Sequence, residues 1–198
     1  MKFKNIILSV LSAIGLIMPS CKEGDGDADY GTEDICIYIP QATLGEGINF
    51  NYYVPSGAGK NTYNFAADAA NNKLDIILGV IRSGKITDAA GFSVDIVVST
   101  TETDILVAEG EIENAMVLPE TMYELPNKVA VEANKNNASF FLTVDAQKLL
   151  NGSYDGKNLI LVVSIANPTN YKLSEKNILV AVIIDVDAVR SFFEEKED

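Results

Sequence analysis

Apolar and polar positions alternate repeatedly along this chain, and the alternation predicts strands. Ile48, Phe50, Tyr52 and Val54 alternate with Asn49, Asn51 and Tyr53, and Pro55 ends the run. Period-two spacing of this kind buries one set of side chains and leaves the other in solvent. Leu74, Ile76, Leu78 and Val80 repeat the pattern, as do Phe92, Val94, Ile96 and Val98, with Ser93 and Asp95 on the outer face. Val129 and Val131 lead through Asn136 and Asn137 to Phe140, Leu142 and Val144, which reads as a hairpin. Residues 159–165 and 178–186 are nearly continuous aliphatic runs, as expected of central strands covered on both faces. Helical spacing is confined to 101–108, with Thr101 as cap, and to 146–150. The pattern predicts an all-β fold: an immunoglobulin-like antiparallel β-sandwich of about seven to nine strands with one or two short helices.

The first residues follow a different logic. Lys2 and Lys4 precede an uncharged apolar run over 6–18, followed by Pro19, Ser20 and Cys21. That run is too short to cross a bilayer comfortably, so 1–20 reads as a secretory signal peptide. Ser20 suits the position before a lipidated cysteine, whereas Met18 and Pro19 depart from the commonest pattern. Cys21 is the expected lipidation site, which makes a membrane the first partner. Each buried CH₂ of an acyl chain contributes roughly 0.8 kcal/mol to such anchoring. Residues 22–34 hold six acids and three glycines, the composition of an extended acidic tether. The spacing of Asp25, Asp27 and Asp29 does not make a calcium loop, because Tyr30 and Cys36 stand where a glycine and a bidentate acid are needed. The sandwich is expected over 35–189 and a charged tail over 190–198, with Phe192 and Phe193 as candidate docking residues.

Charge narrows the partners. Without the signal peptide, 13 bases stand against 28 acids, a net charge of −15. Nucleic acid is excluded as a partner, since phosphate neutralisation needs clustered Lys and Arg. Chemistry is narrowed further by the absence of histidine, the commonest general base, serine-activating partner and zinc ligand. Nothing in the spacing of Asp75, Asp95, Asp185 or Asp187 selects a catalytic carboxylate pair, and these read as solvated strand and turn positions. Asp185 and Asp187 in particular read as edge-strand charge that resists aggregation. Residues 56–60 lack the spacing of a phosphate loop and read as a strand connection. Cys36 reads as a small buried hydrophobe. No catalytic residue, metal site or cofactor is expected. One strand combines an aromatic with amides: if Tyr52 points inward, Asn49, Asn51 and Tyr53 share an outward face suited to stacking on and hydrogen-bonding a sugar, with Tyr63 and Asn64 on the next segment.

Two short motifs carry a family resemblance. Residues 37–42 (Ile-Tyr-Ile-Pro-Gln-Ala) and 117–123 (Val-Leu-Pro-Glu-Thr-Met-Tyr) resemble the opening strand and the "LPxxxY" segment of an immunoglobulin-like Bacteroidetes surface-lipoprotein domain of unknown function. That domain occurs N-terminally in polysaccharide-utilisation and adhesion lipoproteins. The order of elements agrees over about 33–188, and the acidic run behind Cys21 resembles the signal that sends such lipoproteins to the outer face of the outer membrane. The family's usual Tyr-Asn near the helix end has no counterpart at 109–114, and no second domain is expected after Val189. The resemblance implies a surface-exposed, non-catalytic binding or adhesion module for glycan or an envelope protein. The alternative is an accessory assembly subunit that pairs through an exposed strand edge.

Overall fold

The computed structural model describes residues 35–43, 51–59 and 61–194. Its strands are β1 (Cys36–Tyr38), β2 (Asn51–Val54), β3 (Phe65–Asp68), β4 (Lys73–Arg82), β5 (Phe92–Val98), β6 (Ala115–Val117), β7 (Tyr123–Glu124), β8 (Lys128–Val131), β9 (Asn137–Asp145), β10 (Asn158–Ala166), β11 (Lys172–Leu173) and β12 (Leu179–Asp185). The helices are α1 (Thr100–Glu109), α2 (Ala146–Leu149) and α3 (Val186–Glu194). Cys21, Asn49 and the tether lie outside the described residues, as do Ile48 and Phe50 of the predicted first strand.

The strands form two six-stranded sheets that face each other, so the chain is an all-β sandwich. One sheet runs β11-β1-β4-β9-β7, with β3 also on β4; the other runs β2-β12-β10-β5-β8, with β6 also on β10. Long strands pair antiparallel, as predicted, whereas the short additions β11 on β1, β6 on β10 and β2 on β12 are parallel. Leu74, Ile76, Leu78 and Val80 meet Leu159, Leu161, Val163, Val180, Val182 and Ile184 in one core between the sheets.

β10 and β12 are buried on both faces, as their aliphatic runs require. The inner face meets the main core, while outward-facing Ile160 and Ile183 join Ile112 in a second, smaller core covered by Leu106 and Val107 of α1. Thr103, only 1% exposed, fastens α1 to the sheet: its hydroxyl donates to the Ser99 carbonyl at 2.8 Å and accepts from the Val162 N–H at 3.0 Å. The expected cap at Thr101 is corrected accordingly. α1 begins one residue earlier, after Ser99, and ends where Gly110 adopts a left-handed φ of 70°. Thr103→Val is expected to cost about 1–3 kcal/mol, since it strands a buried N–H on β10. Thermal denaturation against wild type measures it.

The predicted hairpin is also corrected. β8 pairs with β5 in one sheet and β9 with β4 in the other. Asn136 accepts a 2.7 Å hydrogen bond from the Arg82 N–H, which hands the chain to β4 and carries it across the sandwich. Residues 190–194 are no tail: they complete α3. Phe192 packs edge-on to Tyr63 and Phe65 at centroid distances of 5.0 and 4.9 Å, and Arg190 donates to the Leu150 carbonyl at 3.0 Å and pairs with Asp155. Cys36 is half-buried rather than buried, since Ile35, Ile37 and Ile39 take the inward positions. Its sulfur lies 3.7 Å from Ser83 Oγ.

Candidate functional site

The described part of the sequence-predicted sugar face is where the alternation put it. Tyr52 is buried and its hydroxyl donates to the Ile77 carbonyl at 3.0 Å, and burial pushes that hydroxyl's pKa up. Tyr53 points outward, 52% exposed, and Asn51 Nδ2 donates to its hydroxyl at 3.5 Å. The neighbouring segment does not join them. Tyr63 stacks on Phe65 in the core, and Asn64 is spent on backbone, accepting from the Ser56 N–H at 2.8 Å and donating to the Tyr53 carbonyl at 2.7 Å. What remains is one tyrosine and one amide on a flat edge strand.

The acids weighed as catalytic candidates are each engaged structurally. Asp75 accepts from Thr143 Oγ1 at 2.5 Å, and Asp95 pairs with Lys128 at 3.2 Å while accepting from Asn167. Asp185 and Asp187 are not edge-strand charges, because β12 lies between β2 and β10. Asp185 instead accepts from the Ala188 N–H at 2.9 Å in the first turn of α3, and Asp187 accepts from the Gly156 N–H at 3.1 Å. Among the described residues no three Asp, Glu or Cys side chains group as metal ligands, and no helix is long and apolar enough to cross a membrane.

A concave site lies elsewhere. The turn before β4, the short strand β7 and the start of α2 enclose a groove of ≈ 310 Å³. Its walls follow from local structure. Leu118 and Met122 bury themselves in the core on either side of Pro119, and this turn delivers Tyr123 and Glu124 to the edge of β9 opposite Val144 and Thr143. Asn72, held at φ 52° in the turn, accepts the Ala146 N–H at 2.9 Å and so sets α2 against β4. Asp145 caps α2, accepting from the Lys148 N–H at 3.1 Å, while Lys148 Nζ reaches back to Asp145 at 3.0 Å and to the Thr121 carbonyl at 2.8 Å.

Those bonds divide the lining into two sets. Asn71 is held by Asp68, Thr143 by Asp75, and Lys148 and Asp145 by each other. Among the described residues, no hydrogen bond engages the side chains of Asn72, Tyr123, Glu124 or Gln147. Two amides, a phenol and a carboxylate without hydrogen-bond partners among the described residues therefore line one concavity, with Tyr123 also packed against the main core and Glu124 on the other face of β7. Burial, followed by the charge of Glu120, pushes the Tyr123 hydroxyl's pKa up, which keeps it a donor. A second hollow, of ≈ 430 Å³, adjoins across Tyr123 and Glu124 and is walled by Ile96, Val98, Leu125 and Pro126. Sequence reasoning missed the groove because Asn71 and Asn72 are in a turn, where Asn reads as punctuation, and Gln147 is in a four-residue helix. The one sequence signal for it is Tyr123, which ends the 117–123 motif.

Asp145 also sets a pH dependence. The Lys148 N–H, then its ammonium, hold the carboxyl below the ordinary carboxylate range, so its contribution is present at neutral pH and is lost as pH falls through that lowered value. Asp145→Ala is expected to cost about 0.5–2 kcal/mol at neutral pH, the value of a helix cap. The gap from wild type should close on acidification, as thermal melts across the acid range would show.

No protein-family model matches the chain, and no curated protein does. Solved structures of similar fold include a Bacteroides ovatus multidomain protein including DUF1735, at 15% identity and TM-score 0.48, which covers 76% of this chain and 44% of that one. A Bacteroides thetaiotaomicron endoglycosidase with Man5GlcNAc product is 10% identical at TM-score 0.48, over 75% of this chain and 30% of the enzyme. An auxiliary nutrient binding protein from Bacteroides thetaiotaomicron is 14% identical at TM-score 0.45, over 68% and 42%. The chain spans less than half the length of each, and the likeness is one of fold.

Proposed function

We propose that this domain is a non-catalytic binding module for glycan, held at the outer face of the outer membrane by lipid on Cys21, with the groove between β4, β7 and α2 as its site. The observation that carries the reading is the set of unspent polar groups. Asn72, Gln147, Glu124 and Tyr123 line one concavity while their neighbours are locked in internal bonds. Sugar recognition needs amides and carboxylates for hydroxyls and an aromatic surface beside them, presented by a largely preformed site. The surface address is supported by the signal-peptide pattern of 1–20, Cys21 and the acidic composition of 22–34, and the net charge of −15 argues against nucleic acid.

The assembly reading is less well supported. It needs an open strand edge; of the strands at the sheet ends, β7 and β11 are only two residues long and β8 four, and at β2 the Tyr53 carbonyl already accepts from Asn64 and the Ser56 carbonyl beyond it from the Asn64 N–H. The test is a glycan array probed with the full chain, its Tyr123→Ala and Gln147→Ala variants, and Tyr53→Ala. Saturable binding is expected, weakened about tenfold in each groove variant, equivalent to roughly 1.4 kcal/mol, and unchanged in Tyr53→Ala. Loss confined to Tyr53→Ala would move the site to the flat face of β2.

A further inference from the structure

Resting on the glycan reading of the groove, we infer that its ligand is an uncharged sugar segment, and that the site rejects uronate, sulfate and phosphate groups. Two lysines line the groove: one is bonded internally and the other is flanked by carboxylates. Lys148 is bonded to Asp145 and the Thr121 carbonyl. Lys73 sits in register between Asp68 on β3 and Asp145 on β9, with a carboxylate directly across on each side. Glu124 on the rim lacks a cationic partner among the described ion pairs, and Glu120 follows it around the adjoining hollow.

An anionic ligand would therefore meet the bare carboxylate of Glu124, find the Lys148 ammonium taken, and find Lys73 flanked by two carboxylates that offset its charge, inside a chain whose formal charge is −13. Recognition of sulfate, phosphate or carboxylate relies on free Arg or Lys, and Arg above all for its two-pronged geometry. No arginine lines this groove. A neutral sugar avoids that penalty. Its hydroxyls can donate to Glu124 and exchange donor and acceptor bonds with Asn72 and Gln147, while the Tyr123 hydroxyl remains a donor.

Titration of the purified full chain with two oligosaccharide panels tests this. One panel holds neutral hexose oligomers, the other uronate-containing and sulfated oligomers, each run at about 20 and about 500 mM salt, where screening of exposed charges differs greatly. Neutral oligomers are expected to bind, with affinity changing less than about twofold between the two salts, and to weaken about tenfold in Gln147→Ala. That variant removes an exposed side chain, so it retains the fold. Charged oligomers should not bind wild type, and Glu124→Gln should gain measurable affinity for them. Tighter binding of the charged panel, weakened by salt and by loss of Lys73, would overturn the inference and leave the groove a glycan site. Failure of both panels would overturn the glycan reading with it.

Discussion

Deleting residues 190–198 is expected to destabilise the sandwich by about 3 kcal/mol, far more than loss of a charged tail would. The deletion removes Phe192 from its edge-on contacts with Tyr63 and Phe65, and Phe193 from the core it packs against. It also removes Arg190, which ties α3 to the Leu150 carbonyl and to Asp155. Burial of a whole Phe contributes about 1.5–3 kcal/mol and each aromatic pair roughly 0.5–1.5 more. Both phenylalanines here are only partly buried, which brings the sum to the stated figure. Urea denaturation of the shortened chain would measure it, and a change below about 0.5 kcal/mol, the range of ordinary surface substitutions, would show that α3 does not complete the core.

The second large effect separates covered from open parts of one sheet face. Ile160 and Val97 both point away from the main core, yet Ile160 is fully buried under α1 whereas Val97 is 41% exposed. Ile160→Ala should cost about 2–5 kcal/mol through lost burial and the cavity it leaves. Val97→Ala should stay within about 0.5 kcal/mol. Equal effects at the two positions would mean that α1 does not seal the sheet, and the smaller core at Ile112, Ile160 and Ile183 would have to be abandoned.

These elements show how far the residues announce their own structure. The aliphatic runs of β10 and β12 advertise burial on both faces because no outward position in them is polar until Ser164 and Asp185. What covers the outer face is not legible there: α1 reaches it through the Thr103 hydroxyl and Leu106 and Val107, whose partners come from strands far along the chain. Strands of two to four residues, such as β6, β7 and β11, are too short to carry a period; β6 and β7 form because a long neighbour, β10 or β9, offers unpaired backbone, and β11 because β1 does. The hairpin expectation failed for a related reason. Alternation fixes which face of a strand is buried, not which sheet it joins, and the Arg82 to Asn136 hydrogen bond decides that between distant residues.

The groove was hidden for the same cause. Asn72, Tyr123 and Gln147 belong to three separate segments brought together by the pairing of β4 and β7 with β9 and by the Asp145 cap. Tyr53, in contrast, could be placed on an outward face from the sequence alone, and it is there, but orientation on a strand does not create a concavity.

The most direct test is to titrate the isotopically labelled protein with a neutral oligosaccharide that binds it and map which backbone amides shift. Shifts confined to residues 71–73, 121–124 and 143–148 are expected, with those of Asn51, Tyr52 and Tyr53 unmoved. Shifts centred on Asn51–Val54 with the groove silent would contradict the assignment of the site.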